Sequence, residues 1–336
     1  MLKKMPKLDL HCHLDGSMGL EITQKLLNDL GETYEITQLK ELLEAPKDCN
    51  SLAEYLKRFD LPIRCIQTKE GLEKSAEQLA LSAFEENVKY LEVRFAPSFS
   101  TAQGLSICEI VESVQKGLQK AHEKTGIYSG IIVCGMRNLD MDTNIHMLKE
   151  AVNLYDKNIM GSVVACDLAG DEKAYPTKQF VEFFNLAKQL GIPYTIHSGE
   201  CGSKENIKVA LELGAKRLGH GIAMASDFEL MRECAKRNVG VELCPTSNLQ
   251  TKALTDFREY PISVFMRAEV PISINTDNRT VSGTTSTKEF EKIVEQFSFT
   301  KEQLQKIYEQ SVEMSFTSDN VKHQLWLSGK KEFSLL

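Results

Sequence analysis

The chain has 336 residues, 42% of them hydrophobic and 26% charged, the proportions of an ordinary soluble globular protein. Forty basic against 47 acidic residues give a formal net charge of −7, which argues against nucleic acid as the main partner but leaves a small neutral ligand open. A chain this long buries an ample core without metal or disulfide, and alternating strand–helix barrels take this length as one unit, so a single domain over residues 1–336 is expected.

The opening MLKKMPKLDLHCHLDG is broken by Lys7 and Asp9 before any apolar stretch develops, so no signal peptide is expected. No run of about 18 apolar residues follows, and no membrane span is expected. The nine cysteines are odd in number and scattered without CxxC pairs, which reads as reduced thiols in the cytoplasm.

Along the chain, short β-rich runs alternate with longer helical patterns. The predicted strands are Leu8–Leu14, Val88–Phe95, Gly130–Met136, Ser162–Leu168, Pro193–His197, Arg217–His220, Gly240–Leu243 and Ile272–Thr276. Several are continuously apolar, as parallel strands buried on both faces are. Helical stretches lie at Gly71–Glu86, Ser106–Lys124, Thr177–Leu190, Lys204–Leu213, Asp227–Arg237 and Ile262–Arg267. The pattern predicts an α/β fold, a (β/α)8 TIM-type barrel, with an open doubly wound sheet as runner-up. The long gap between the first two strands predicts extra helices there, and Lys288–Phe297 with Lys301–Phe316 predict closing helices. Chemistry is then expected at the C-terminal ends of several strands.

Four of the seven histidines fall there. His11 and His13 form an H-x-H on the first strand, and residues two apart in a strand point the same way. The pair alone is equally a structural feature; a metal is the alternative its position favours. The run His197-Ser198-Gly199-Glu200 ends strand five, where Glu200 is either a proton donor or a helix cap. His220 stands between Gly219 and Gly221, which let a ligand approach closely, or else is a hydrogen-bonded core histidine. Asp277 leaves a buried apolar strand, so it wants a cation or caps the next helix. Three imidazoles and a carboxylate (His11, His13, His197, Asp277) match the nitrogen and oxygen preference of zinc, with a coordinated water completing a hydrolytic site. No lysine sits near the end of strand four, so one Zn2+ per chain is expected. His122, His146 and His323 read as surface residues.

Taken together, LDLHCHLDGS, DLAGDE (Asp167–Glu172), HSGE, LGHG, CPTSN (Cys244–Asn248) and NTDN resemble the adenosine deaminase family of the amidohydrolase superfamily. That resemblance implies zinc on His11, His13, His197 and Asp277, with activated water attacking C6 of a purine and ammonia leaving. It implies Glu200 as donor of a proton to ring N1, which calls for a carboxyl raised by burial. His220 would orient the water, as base or electrostatic stabiliser. Gly170 would offer its N–H to purine N3, Asp15 would meet the ribose hydroxyls, and His13 would border the substrate. Many relatives carry two consecutive aspartates after strand eight; here the second is Asn278, whose amide donates to N7 without first taking up a proton.

Leu52, Tyr55, Leu56 and Phe59 recur at i, i+3, i+4 and i+7, one face of a helix that reads as core packing by periodicity and as an apolar lid by the resemblance. No arginine cluster for a phosphate accompanies the motifs. The resemblance therefore implies deamination of adenosine and 2′-deoxyadenosine in purine salvage. The alternatives are deamination of another aminopurine, such as adenine or a modified adenosine, and a barrel that binds nucleoside or protein without turnover.

Overall fold

Among the described residues, eight parallel strands form the centre: β1 (Lys7–His13), β2 (Val88–Phe95), β3 (Tyr128–Met136), β4 (Val163–Ala169), β5 (Thr195–Ser198), β6 (Arg217–His220), β7 (Gly240–Leu243) and β8 (Ile272–Ile274). The computed structural model describes residues 1–46, 49 and 52–336, with the side chains of 52 and 53 outside the description. The strands pair in chain order within two halves, β1 to β4 and β5 to β8. Bridges join the halves at both seams, Cys166 to Tyr194 and Cys12 to Asp277, so the sheet closes into a barrel and is not an open doubly wound sheet. At the second seam the backbone bonds Asp277 N–H to His11 O and His13 N–H to Asp277 O are both 2.7 Å.

Continuous apolarity has the consequence expected of it: β2 and β4 are buried along nearly their whole length on both faces. Helices supply the outer cover. Between β1 and β2 lie α1 (Leu20–Asp29), α2 (Ile36–Leu43), α3 (Leu52–Leu56), α4 (Asp60–Cys65) and α5 (Lys69–Phe84). There follow α6 (Ile107–Thr125), α7 (Met141–Ala151), α8 (Val181–Gln189), α9 (Lys204–Leu213), α10 (Phe228–Lys236), α11 (Pro245–Gln250) and α12 (Ile262–Arg267), then the closing α13 (Ser286–Phe297), α14 (Lys301–Met314) and α15 (Asp319–Ser334). Local chemistry sets their ends. In α6, Ser106 and Glu109 form a capping box, Gly126 ends the helix at φ +79°, and Ile107, Ile110, Val111, Val114, Leu118 and Ala121 make the buried stripe.

His323 lies on α15, which docks through Leu325, Gly329 and Phe333. One sequence expectation changes. His122 is half-buried, with Nδ1 2.9 Å from Ile127 O, a structural histidine and not a surface one. His146 and His323 are exposed. Among the described residues no helix is long and apolar enough to cross a membrane.

Candidate active site

At the C-terminal ends of the strands lies a cavity of about 370 Å³, lined among others by His13, Asp15, Gly170, His197, Glu200, His220, Asp277 and Asn278. The barrel thus brings together every sequence-predicted site residue except His11, which sits fully buried just beneath.

The histidines are aimed by acids behind them. His11 Nδ1 donates to Glu242 Oε2 at 2.8 Å, and His197 Nδ1 lies 2.8 Å from Asp167 Oδ2. With its ring proton held on that side, His11 Nε2 is a bare lone pair facing inward, and the Asp167 carboxylate beside Nδ1 favours the same tautomer at His197. There His11 Nε2 has no hydrogen-bond partner. It lies 3.5 Å from Asp277 Oδ1, His13 Nε2 lies 3.4 Å from the same oxygen, and His13 Nε2 is 3.3 Å from His197 Nε2. Lone pairs and a carboxylate converging on one buried point repel one another unless a cation sits among them. The donors are nitrogen and oxygen, which fits zinc. A further set, His11, His220, Cys244 and Asp277, also gathers within 4.8 Å, but burial pushes the Cys244 thiol well above its ordinary value, and it donates to Glu242 O at 3.6 Å.

Burial lowers the pKa of His11 and takes that of His13 well below its ordinary value, keeping both rings neutral as ligands must be. Burial would also lower His197, but the Asp167 carboxylate outweighs it and the ring is raised. For Asp277 burial works upward, yet the hydrogen bond and charge of His11 prevail and hold the carboxyl well below its usual range.

Beneath the site, sequence reading missed a buried ionic frame. Glu242 accepts from His11, Arg94 (2.8 Å), Arg217 (2.6 Å) and Thr195 (2.8 Å). Arg94 also bridges to Asp167 at 2.8 Å and to Leu10 O at 2.6 Å, while Arg217 reaches Glu92. The signal was present: Glu92 and Arg94 share one face in the buried part of β2, and charges in buried strands require partners. Three carboxylates against two guanidiniums leave one formal negative charge, and Asp277 adds a second, the complement of a divalent cation.

Glu200 is carried on the turn after β5. Glu172 pins that turn by accepting from Gly199 N (2.6 Å), Cys201 N (3.1 Å) and Asn206 Nδ2 (3.0 Å). The Glu200 side chain is only 11% exposed, its Oε1 lies 3.0 Å from the Thr251 hydroxyl, and Oε2 is 3.6 Å from His220 Nε2. Both His220 and Asp277 hold left-handed backbone, at φ +63° and +60°. For residues with a side chain this is strained, and it occurs where a strand end must turn a functional group inward.

A Cβ on Gly219 would stand 3.1 Å from His197 Cα and 3.2 Å from His11 Cε1, so this glycine makes room for neighbouring imidazoles and not for a ligand. A Cβ on Gly16 would overlap Asn278 Oδ1 at 1.9 Å. Asn278 Nδ2 donates to Asp277 Oδ1 at 2.7 Å, while its Oδ1 is buried without a partner. Burial raises Asp15 to about 6.

The predicted apolar face divides. Tyr55, Leu56 and Phe59 all line the cavity beside Ile63 and Phe99, Tyr55 buried against Val281 with its hydroxyl 2.7 Å from Ser282 Oγ and Leu56 exposed. Leu52 lies outside the described side chains.

By fold, this is a (β/α)8 barrel whose mouth gathers side chains able to ligate a metal. Its backbone is similar to adenine deaminase from Arthrobacter aurescens (TM-score 0.88, 22% identity, 98% of each chain). It is also similar to a zinc-bound amidohydrolase from Burkholderia ambifaria (TM-score 0.87, 20% identity, 99% of this chain and 92% of that one). A family profile described as adenosine deaminase matches residues 6–328. Curated adenosine deaminases are similar in sequence: that of Clostridium perfringens is 40% identical over 331 residues (97% of this chain, 98% of the relative). That of Shewanella woodyi is 42% identical over 328 residues (96% and 97%). The chain belongs to the adenosine deaminase family.

Proposed function

We propose that this chain deaminates adenosine and 2′-deoxyadenosine hydrolytically, using one zinc per chain, in cytoplasmic purine salvage. One observation carries the reading: the Glu200 carboxyl shares a cavity with His13, His197 and Asp277, with His11 converging on them from just beneath, and the described lining holds Asp15, Asp60 and Asp171 but neither lysine nor arginine. Such a rim accepts a neutral nucleoside and repels a 5′-phosphate.

Zinc held by His11, His13, His197 and Asp277 supplies Lewis acidity that makes water a nucleophile near neutral pH. The chain's own groups do the rest. Glu200 gives a proton to purine N1, which localises the ring and leaves C6 electrophilic. His220, across from Glu200, orients the attacking oxygen, and Asp277 accepts a hydrogen bond from it. Gly170 meets N3 with its N–H at a position where no side chain intervenes. Asn278 donates its second amide proton to N7, and Asp15 accepts from the ribose hydroxyls. His13 borders the sugar, while Ala96, Cys134, Met136 and Ala169 give the base an apolar wall that excludes water.

An ultraviolet assay with adenosine, adenine and AMP in parallel, with and without chelator, tests this. Adenosine should turn over and the chelator should abolish it; turnover of adenine or AMP in place of adenosine overturns the assignment.

A further inference from the structure

Behind His220 stand two side chains that none of these roles employs, Asn248 and Tyr260, only 0% and 2% exposed. Asn248 Nδ2 lies 3.0 Å from His220 Nδ1, and the Tyr260 hydroxyl lies 3.1 Å from Asn248 Oδ1. Resting on the deaminase reading, we propose that Asn248 and Tyr260 are positioning residues that fix the tautomer of His220, placing its proton on Nε2, the nitrogen facing Glu200.

Two directions of hydrogen bonding fit three groups in a row. In one, the phenol donates to the Asn248 carbonyl, the amide donates to Nδ1, and the imidazole proton sits on Nε2. In the other, the amide is turned round, the phenol accepts, and Nδ1 carries the proton. The phenol decides between them. Burial raises Tyr260 well above its ordinary value, so it keeps its proton. Among the described residues, Asn248 Oδ1 is the acceptor that its hydroxyl reaches. Turning the amide would make the phenol an acceptor and leave its buried hydroxyl proton without a partner. The chain therefore runs from Tyr260 through Asn248 to Nδ1.

The ring has little freedom to escape this arrangement. His220 sits at φ +63°, Gly221 follows at φ +62°, and the Gly221 N–H is tied to Ser198 O at 3.1 Å. Its Nε2 then points at Glu200 Oε2, 3.6 Å away. A proton on Nε2 makes His220 a donor to the attacking oxygen, orienting a lone pair toward C6. It does not take that oxygen's proton, and the acceptor role falls to Asp277. Of the two functions implied for His220 by the family resemblance, base and stabiliser, the chain behind it selects the second.

The test uses zinc-loaded full-length protein labelled with 15N-histidine. A long-range 1H–15N spectrum, with His220 assigned by its loss in His220→Gln, should show a bare Nδ1 and a protonated Nε2; the opposite pattern overturns the proposal with no variant required. Asn248→Asp replaces the amide donor by an acceptor, which draws the proton onto Nδ1. It should exchange the two 15N signals and lower kcat by about 10²–10⁴-fold, as a wrong tautomer does in a hydrolase triad, with KM for adenosine and zinc content held within about twofold. Tyr260→Phe frees the amide and should lower kcat about tenfold at an unchanged KM. Wild-type rates in Asn248→Asp, or losses confined to KM, refute the role. Failure of the wild-type holoenzyme to deaminate adenosine refutes the functional reading instead, and the spectrum still decides the tautomer.

Discussion

Glu242 is the residue on which the electrostatic account of the site depends most, and Glu242→Gln tests it. The carboxylate is fully buried and accepts four hydrogen bonds, from His11, Arg94, Arg217 and Thr195. The amide has the same shape but only one oxygen, and its NH2 must face donors. Two guanidiniums then share the charge of Asp167 and Glu92 alone. Removing one partner of a buried ion pair costs about 3–5 kcal/mol. With an unfolding entropy of about 2.1 cal/mol/K per residue over 336 residues, Tm should fall by about 4–7 °C. Because Glu242 also orients His11, zinc affinity should fall roughly 10–100-fold, measured by competition with a chromogenic chelator. A variant melting within about 1 °C of wild type by calorimetry, at unchanged zinc affinity, would refute the charge balance argued for the barrel floor.

Elemental analysis should find about one zinc per chain, and His13→Ala should lose both metal and activity. Glu200→Gln should keep its zinc while kcat falls at least about 100-fold; a fully active variant removes Glu200 as proton donor. Gly219→Ala pushes a methyl against His11 and His197, whose rings must give by tenths of an ångström, so metal affinity should drop while secondary structure, followed by circular dichroism, stays intact. Burial would raise Glu86, but Arg279 outweighs it and holds the carboxyl below its ordinary 4.5. A lowered carboxyl stabilises fully above that value and loses its contribution as pH falls through the lower folded one. Glu86→Gln should therefore cost about 1–3 kcal/mol, or about 1–4 °C of Tm, at pH 7, and the gap to wild type should narrow as pH falls below 4.5; a gap that widens in acid contradicts the assigned sign.

Periodicity and turn chemistry made the barrel legible, since eight apolar runs separated by helical patterns leave few other architectures. The inward set was legible for the same reason: H-x-H on a strand points two rings one way, and His197, His220 and Asp277 end strands that must converge. Arg94, Glu92, Glu242 and Arg217 stood in those same strands, and their charge was the clue. Their pairing was not legible, because it joins β2, β4, β6 and β7 across the barrel, and no spacing along the chain encodes which acid meets which base. Asn248 and Tyr260 were hidden more thoroughly. One sits in CPTSN, on α11, and the other in a loop twelve residues later, and only the fold makes them successive links behind His220.

The two halves of the barrel differ in a way that explains where the chemistry sits. The first four strands run seven to nine residues, while the last four run only three or four. The short strands are the ones whose ends carry His197, His220 and Asp277. At His220 and Asp277 the backbone turns by a left-handed residue costing on the order of 1–3 kcal/mol, which helps aim each side chain inward. That cost must be met locally. Asp277 is clamped by two 2.7 Å backbone bonds to β1, and the turn after His220 is tied back to Ser198. The long strands contribute the other part, since Arg94 and Asp167 brace Glu242 and His197 from the floor. Strain at the strand ends is thus met by local backbone bonds above a floor of paired charge drawn from both halves, and a substitution in the ionic frame should be felt at the inward-facing histidines before it is felt in the fold.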